Sequence, residues 1–410
     1  MASLIQGPVG SQNYTANSRF IDGEGRIYFN PKRMDFPLIT FLGINGRKAP
    51  IVGDAYGGDT KIEGKALSKR KVENAQFRIF TDSVMPSATT TTATATSSGT
   101  TLTVADASVF TPNDILFVPR TGERMLVTAS NATTSLTVTR AYGTSGYALL
   151  VNDNLVRIGS AYPVNALSGT AKSTQVQEAY NYTQIFRTPA AIGRTDKDSK
   201  LNYINTSDWE RLKMEAAVEH LRTQNKAFWF GVPNQGTDSG SGAYQRTTGG
   251  MFNYIQTNVM DLTAAGGQLT PQVLDSFAEQ VFDLGSSQKY LFCSPRVLSR
   301  INSLQSNIIR MKPMETVYGL DLAKYVTSHG EFILVREPTF GNTSLAAQYG
   351  GTAVCVDPEQ IKYAYLNNAE NEWHDNIQEN DRDGVKGEWL CEAGLHLANE
   401  NTHGVFQGVV

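Results

Sequence analysis

Reactive side chains are sparse in this chain, and none falls into a familiar catalytic spacing. Its five histidines, His220, His329, His374, His396 and His403, form no HExxH or HxxE pair that would seat a metal. His220 lies in a helical pattern, where a hydrogen-bonded core or surface histidine is the expectation. There is no GxSxG turn to expose a nucleophilic serine and no Walker A loop to cradle phosphate. The tract from Gly240 to Gln245 starts like GxGxxG, but Gln245 takes the third glycine position and no strand precedes it. The acidic run with Glu379, Asp381, Asp383 and Gly384 copies the first half of an EF-hand loop. Its twelfth position is Leu390, where a bidentate Glu should close the coordination shell, so a solvated turn is expected. No catalytic residue, metal or cofactor is expected.

One charge cluster stands out. Residues 61–78 carry Lys61, Lys65, Lys69, Arg70, Lys71 and Arg78 against only Glu63 and Glu73. Such a run meets phosphates or pairs with the carboxylates of another chain, and the second reading is favoured. The whole chain has a net charge of −3, which is not a nucleic-acid-binding balance. Charged residues make up 18% of the 410, below the roughly 25% usual for soluble domains. With 40% hydrophobic residues, this is a chain with a sizeable core and a surface spent on neighbours. Cys293, Cys355 and Cys391 are odd in number and far apart, so they read as small buried hydrophobes in a reducing cytoplasm. No signal peptide and no membrane-spanning run is expected.

The elements that would position these side chains change character along the chain. Residues 1–36 are irregular, with isolated aromatics, and read as an arm without its own core. Phe77 and Ile79 alternate as on a strand. The stretch 87–101, SATTTTATATSSGTT, has no charge and reads as an extended connector, with a first strand from about Thr100. After it, short strands at roughly ten-residue spacing predict a small all-β sandwich or barrel over 88–160. The segment 180–193 is extended. A long helix follows over about 207–230, with Thr206 or Ser207 as N-cap and Trp209, Leu212, Ala216, Leu221 and Phe228 on its inner face. Residues 231–250 read as a loop. Helices at 270–285 and 295–307 then alternate with strands, and the segment 387–409 reads as a closing strand pair.

In this order, five segments carry a resemblance. They are FPLITFLGING (36–46), FRIFTDSVMP (77–86), YNYTQIFRTP (180–189), RTTGGMFNYIQTNV (246–259) and SSQKYLFCSPRVLSRIN (286–302). Together they resemble the major capsid proteins of tailed bacteriophages with the HK97-type fold.

The resemblance implies an α+β chain and a structural role. Its N-terminal arm would be 1–36, and its E-loop and P-domain strands 37–87 and 161–200. The P-domain with its spine helix would be 201–244 and 381–410, the A-domain 245–380, and 88–160 an insertion domain. Copies would assemble through pentamers and hexamers into an icosahedral shell around phage double-stranded DNA, an encapsulin-like compartment being the alternative. Lys61, Lys65, Lys69, Arg70, Lys71, Tyr182, Phe186 and Arg187 would serve assembly. Partners would be the chain itself, a portal protein, scaffold and decoration or cement proteins, and DNA held without sequence specificity. No membrane is implied, and the protein would reside in the virion capsid after assembly in the host cytoplasm.

Overall fold

The computed structural model describes residues 37–42, 68–82, 85–131, 133–167, 169, 171–198, 208–305, 311–313, 323–341 and 344–410. The expected arm, Lys61, Lys65 and the two N-cap candidates lie outside them. The chain forms two compact units: a body from the segments up to 80 and from 178 onward, and a second unit over 81–177.

The body is built on two sheets. The first has five strands, in the order Ser68–Val72, Ile361–Leu366, Gly384–Leu397, Gln184–Gly193, with Glu372–His374 also paired to Gly384–Leu397. On Gly384–Leu397 the alternation expected from the sequence holds: Trp389, Cys391, Ala393 and Leu395 are all buried. The long helix Asp208–Phe230 covers this sheet. Phe228 sits edge-on to Phe186 at 6.4 Å and to Tyr363 at 6.1 Å. Trp209, Ala216, Leu221 and Phe228 are buried as expected, whereas Leu212 is half-buried. Pro37–Phe41 is a short helix rather than a strand. Proline at its first position costs no hydrogen bond there, and Leu38 and Ile39 join the core.

The second sheet has seven strands. Their order is Val259–Asp261, Gly404–Gln407, Ala353–Val356, Gln288–Cys293, Glu331–Arg336, Ala323–Val326, Met311–Pro313. Its central strands are apolar on both faces because both are covered. Leu291, Leu334 and Cys355 face the helices Pro271–Phe282 and Pro295–Gln305. Phe292, Val335 and Val354 face the core that includes Trp229 of the long helix. The helix Pro271–Phe282 starts at an N-cap, Thr270, whose hydroxyl accepts the Val273 N–H at 3.3 Å. Its end is held by Lys289, fully buried, whose Nζ donates to the carbonyls of Val281, Leu284 and Thr402 at 2.7 Å each.

Two expectations about the C-terminal segment are corrected here. Gly384–Leu397 and Gly404–Gln407 do not pair with each other; they lie in different sheets. The left-handed Asn399, at φ 44°, and a 3₁₀ turn turn the chain out of the first sheet into the second. The reverse crossing occurs after Ala353–Val356, so Ile361–Leu366 belongs to the five-stranded sheet, not with the segment 245–353. A further correction concerns 231–250, which contains a hairpin of Asn234–Thr237 with Tyr244–Thr247.

The unit over 81–177 takes in more chain than the 88–160 expected. Its six strands run in the order Ala88–Thr90, Asn154–Ser160, Asp114–Phe117, Arg124–Ser130, Ser135–Thr139, Thr101–Thr103. The two end strands meet: Thr91 bridges Val104, the Thr92 N–H donates to the Thr103 carbonyl at 3.0 Å, and the Ala105 N–H to that of Thr90 at 2.9 Å. The sheet is therefore a closed barrel. Leu102, Phe110, Leu116, Met125, Leu136 and Leu155 are among the side chains that fill it. The charge-free stretch is not a connector. Its first strand starts at Ala88, and its threonines make the seam.

Candidate assembly site

Between Phe80 and Glu178 the chain leaves the body and returns. The leaving and returning segments, Gln76–Thr81 and Gln177–Tyr182, pair as a two-stranded ribbon. Period-2 alternation gives the ribbon one buried face, where Phe77 and Ile79 pack with Val72 and Ala364. Its other face carries Phe80, 65% exposed, and Tyr180, 48% exposed. Arg78 and Glu178 are joined by an ion pair at 2.7 Å.

The foot of this ribbon is held by a buried polar knot. The Asn181 amide donates to the carbonyls of Gly249 at 3.1 Å and Leu395 at 2.7 Å. Its Oδ1 accepts the N–H groups of Tyr182 at 2.8 Å and Gly249 at 2.7 Å, so every hydrogen-bonding position of the side chain is used. The Thr183 hydroxyl donates to Glu392 at 2.7 Å, and the Gln184 Oε1 accepts the Thr248 N–H at 3.1 Å. Close backbone approach makes this possible. A Cβ on Gly394 would stand 2.6 Å from the Tyr182 carbonyl oxygen, and one on Gly250 would stand 2.7 Å from that of Trp229. The NYTQ and TTGG segments, 63 or more residues apart in sequence, are thus two halves of one clamp.

The residues expected to serve assembly separate into two groups. Lys69 is paired with Glu370, and Arg70 lies over the Phe77 ring at 6.0 Å. Lys71 is exposed. Tyr182 is half-buried, edge-on to Tyr180 at 5.6 Å. Arg187 is exposed, 3.9 Å from Glu388. Phe186 is the correction: at 3% exposure it belongs to the core under the long helix, on the face of its strand opposite Arg187. The acidic run forms a turn in which the Arg382 N–H donates to the Glu379 carbonyl at 3.1 Å, and Asp383 meets Arg194 at 2.9 Å. Leu390 lies in a strand opposite Arg187. The tract from Gly240 to Gln245 sits at the tip of the 234–247 hairpin, where Asp238 accepts the Ser241 N–H at 2.8 Å.

The sequence reading allowed a hydrogen-bonded core position for His220 but missed the burial of Gln224 and Asn225 beside it. On the long helix His220, Gln224 and Asn225 are buried alongside the apolar stripe. His220 takes Thr188 at 3.0 Å and Asn371 at 3.1 Å as partners, and burial lowers its pKa to about 4. Their spacing was the available signal, since 216, 220 and 224 continue one i, i+4 row. The three cysteines are free and buried, and burial pushes the Cys391 thiol up to about 12.

Comparison with known proteins places this framework. The family model of the SU10 major capsid protein matches residues 51–410. A major capsid protein of Pseudomonas phage PaMx41 is 25% identical over 351 residues, covering 82% of this chain and 80% of its own. Among solved structures, the holo-SrpI encapsulin complex from Synechococcus elongatus PCC 7942 is similar at a TM-score of 0.39, with 12% identity over 58% of this chain and 78% of its own. The capsid of cyanophage P-SCSP1u is similar at 0.38, with 12% identity over 61% and 80%. The family match over 51–410 takes in most of the chain. With that match running through both sheets of the body and through the barrel, the chain belongs to the SU10 major capsid protein family.

Proposed function

We propose that this α+β chain, of the HK97-type, is the repeating structural subunit of an icosahedral phage shell, built through hexamers and pentamers around double-stranded DNA. The observation that carries the reading is the ribbon 76–81 with 177–182, fixed at its foot by Asn181 and bearing Phe80 and Tyr180 outward. A two-stranded ribbon is marginal in water alone, and exposed aromatics on a rigid foot suit docking onto a neighbouring copy. Such contacts are heterologous and close into rings and shells when the rotation between copies allows.

In this reading the ribbon is the E-loop stem, the five-stranded sheet with the long helix is the P-domain, the seven-stranded sheet is the A-domain, and the barrel is an insertion. Residues 1–36 act as an arm. The role is structural, with no catalytic group engaged. A portal protein, scaffold and decoration proteins are the further partners, and assembly takes place in the host cytoplasm.

Negative-stain microscopy of the purified protein tests the proposal. Shells or rings of five and six copies are expected, and a stable monomer under all conditions contradicts it. Nucleic acid in shells recovered from infected cells separates a genome container from a cargo compartment.

A further inference from the structure

At the C-terminal end of the long helix, a carboxylate is held inside the body by neutral groups. Glu337 follows the strand Glu331–Arg336 and is fully buried. Trp229 Nε1 donates to its Oε2 at 3.2 Å. Asn225 Nδ2 donates to Oε1 at 3.3 Å, and the N–H and hydroxyl of Thr339 donate to the same oxygen at 3.2 and 2.5 Å. The helix thus presents Trp229 and Asn225, and its own turn presents Thr339. The strand Gln288–Cys293 presents Cys293, whose carbonyl accepts the Glu337 N–H at 2.8 Å and whose thiol burial keeps neutral. Among the described residues no cation pairs with the carboxylate. Burial favours the neutral acid and outweighs the hydrogen bonds from Thr339, Trp229 and Asn225, which favour the anion, so the Glu337 pKa is raised to about 7.

The neutral acid carries an O–H that needs an acceptor. Asn225 Oδ1 is buried and, among the described residues, has no hydrogen-bond partner. Turning that amide through half a rotation exchanges its oxygen and nitrogen. An acceptor then stands 3.3 Å from Glu337 Oε1, and 3.0 Å from the Thr339 hydroxyl, which can donate to it. The same groups therefore serve both charge states, with the amide turned to suit each.

We infer that Glu337 and Asn225 form a proton-operated latch between the long helix and the seven-stranded sheet, closed more firmly when the acid is protonated. The proton comes from solvent and returns to it. The sign follows from linkage. The folded-state value lies above the usual carboxylate value, so the folded chain binds the extra proton between about pH 4.5 and 7. Stability from this group is present at the acidic end of that window and is lost as pH rises through it. Near neutrality, small pH changes set how readily the helix end parts from the sheet.

The test compares the full-length chain with Glu337→Gln, which stays neutral at every pH. Between pH 5 and 8 the unfolding equilibrium constant of the native chain should rise on the order of 10²-fold relative to the variant. His220, His396 and His403 titrate in both proteins, so their contribution cancels in the ratio. Carboxyl ¹³C NMR of the native chain reads the group directly, with an expected midpoint near 7 and the same midpoint in the Trp229 indole N–H shift. This second measurement decides the matter if the variant does not fold. Parallel stability profiles, a Glu337 midpoint in the ordinary carboxylate range, or an indole signal blind to the titration would each overturn the latch.

Discussion

In the barrel the first and last strands meet across Thr91 and Val104, so among the described residues no edge is left open. In the body the two sheets end, among the described residues, at strands with one unpaired flank, such as Ser68–Val72 and Val259–Asp261. An open edge is a template for another chain, and closure removes it. The barrel also neutralises its charges internally. Arg140, 5% exposed, meets the fully buried Glu123 at 2.7 Å and donates to the carbonyls of Thr96 and Gly99. The body leaves charge outward at Lys71 and Arg187, while exposed aromatics occur on both units, Phe80 and Tyr180 on the body and Tyr142 and Tyr147 on the barrel. The difference indicates that the barrel is built to fold by itself, and the body to be completed by copies of itself.

The largest effect that could break this comparison comes from Trp209→Asp. Trp209 is buried and edge-on to Trp373 at 5.8 Å. Losing it costs about 3–5 kcal/mol, and an unpaired carboxylate in its place adds several more. Together these approach the whole stability of a domain. The body should lose its cooperative melting transition, while limited proteolysis still leaves a resistant fragment spanning 81–177. If both units are digested together, the barrel is not independent.

The reciprocal change is Arg140→Met. It strands the Glu123 carboxylate, which Arg140 and the N–H groups of Ala141 and Tyr147 hold below its ordinary pKa against the opposing effect of burial. Breaking a buried pair costs about 3–5 kcal/mol. Calorimetry should show the barrel transition falling and the body transition unmoved.

Acid should separate the units in the same way. Burial lowers His220, His396 and His403 to about 4, and all three lie in the body. The unfolded chain binds protons that the folded body refuses, so body stability falls as pH drops from about 6.5 towards 4. Glu337 opposes this in part, since its own shift has the reverse sign. The barrel contains no histidine. Its Asp153 is held low by Arg120, and its Glu123 is also lowered, so the barrel resists until pH falls through those depressed carboxylate values. Melting at pH 7, 5 and 4 should show the body weakening first. Simultaneous weakening would mean that the histidines are not the determining groups.

Local pattern made much of this legible. The long helix, the helix capped by Thr270 with Pro271, the period-2 strand carrying Trp389 to Leu395 and the β-rich segment all follow from spacing and turn residues. Pairing partners at long range did not. Nothing near Thr91 announces that it bridges Val104, and nothing near Leu397 announces that the next strand joins a different sheet. The Asn181 clamp was visible only as a motif, because its halves meet through folding. The partners that bury Lys289 and Glu337 are not legible either, since sequence shows a charge but not the carbonyls or donors that receive it.

The smallest effect sharpens the comparison within the body itself. Leu212 was expected on the same inner face as Trp209, yet it is half-buried where Trp209 is buried. Three residues on an α-helix turn the side chain through about 300°, and Leu212 therefore stands at the rim of the stripe. Truncation at a rim removes apolar area already partly in water and opens no closed cavity. Leu212→Ala should then cost about 1 kcal/mol, well under the 2–5 usual for a buried leucine. Urea unfolding of the body transition measures it. A cost near that of Phe228→Ala would place Leu212 against a partner that covers it, and the contact would have to come from another copy of the chain.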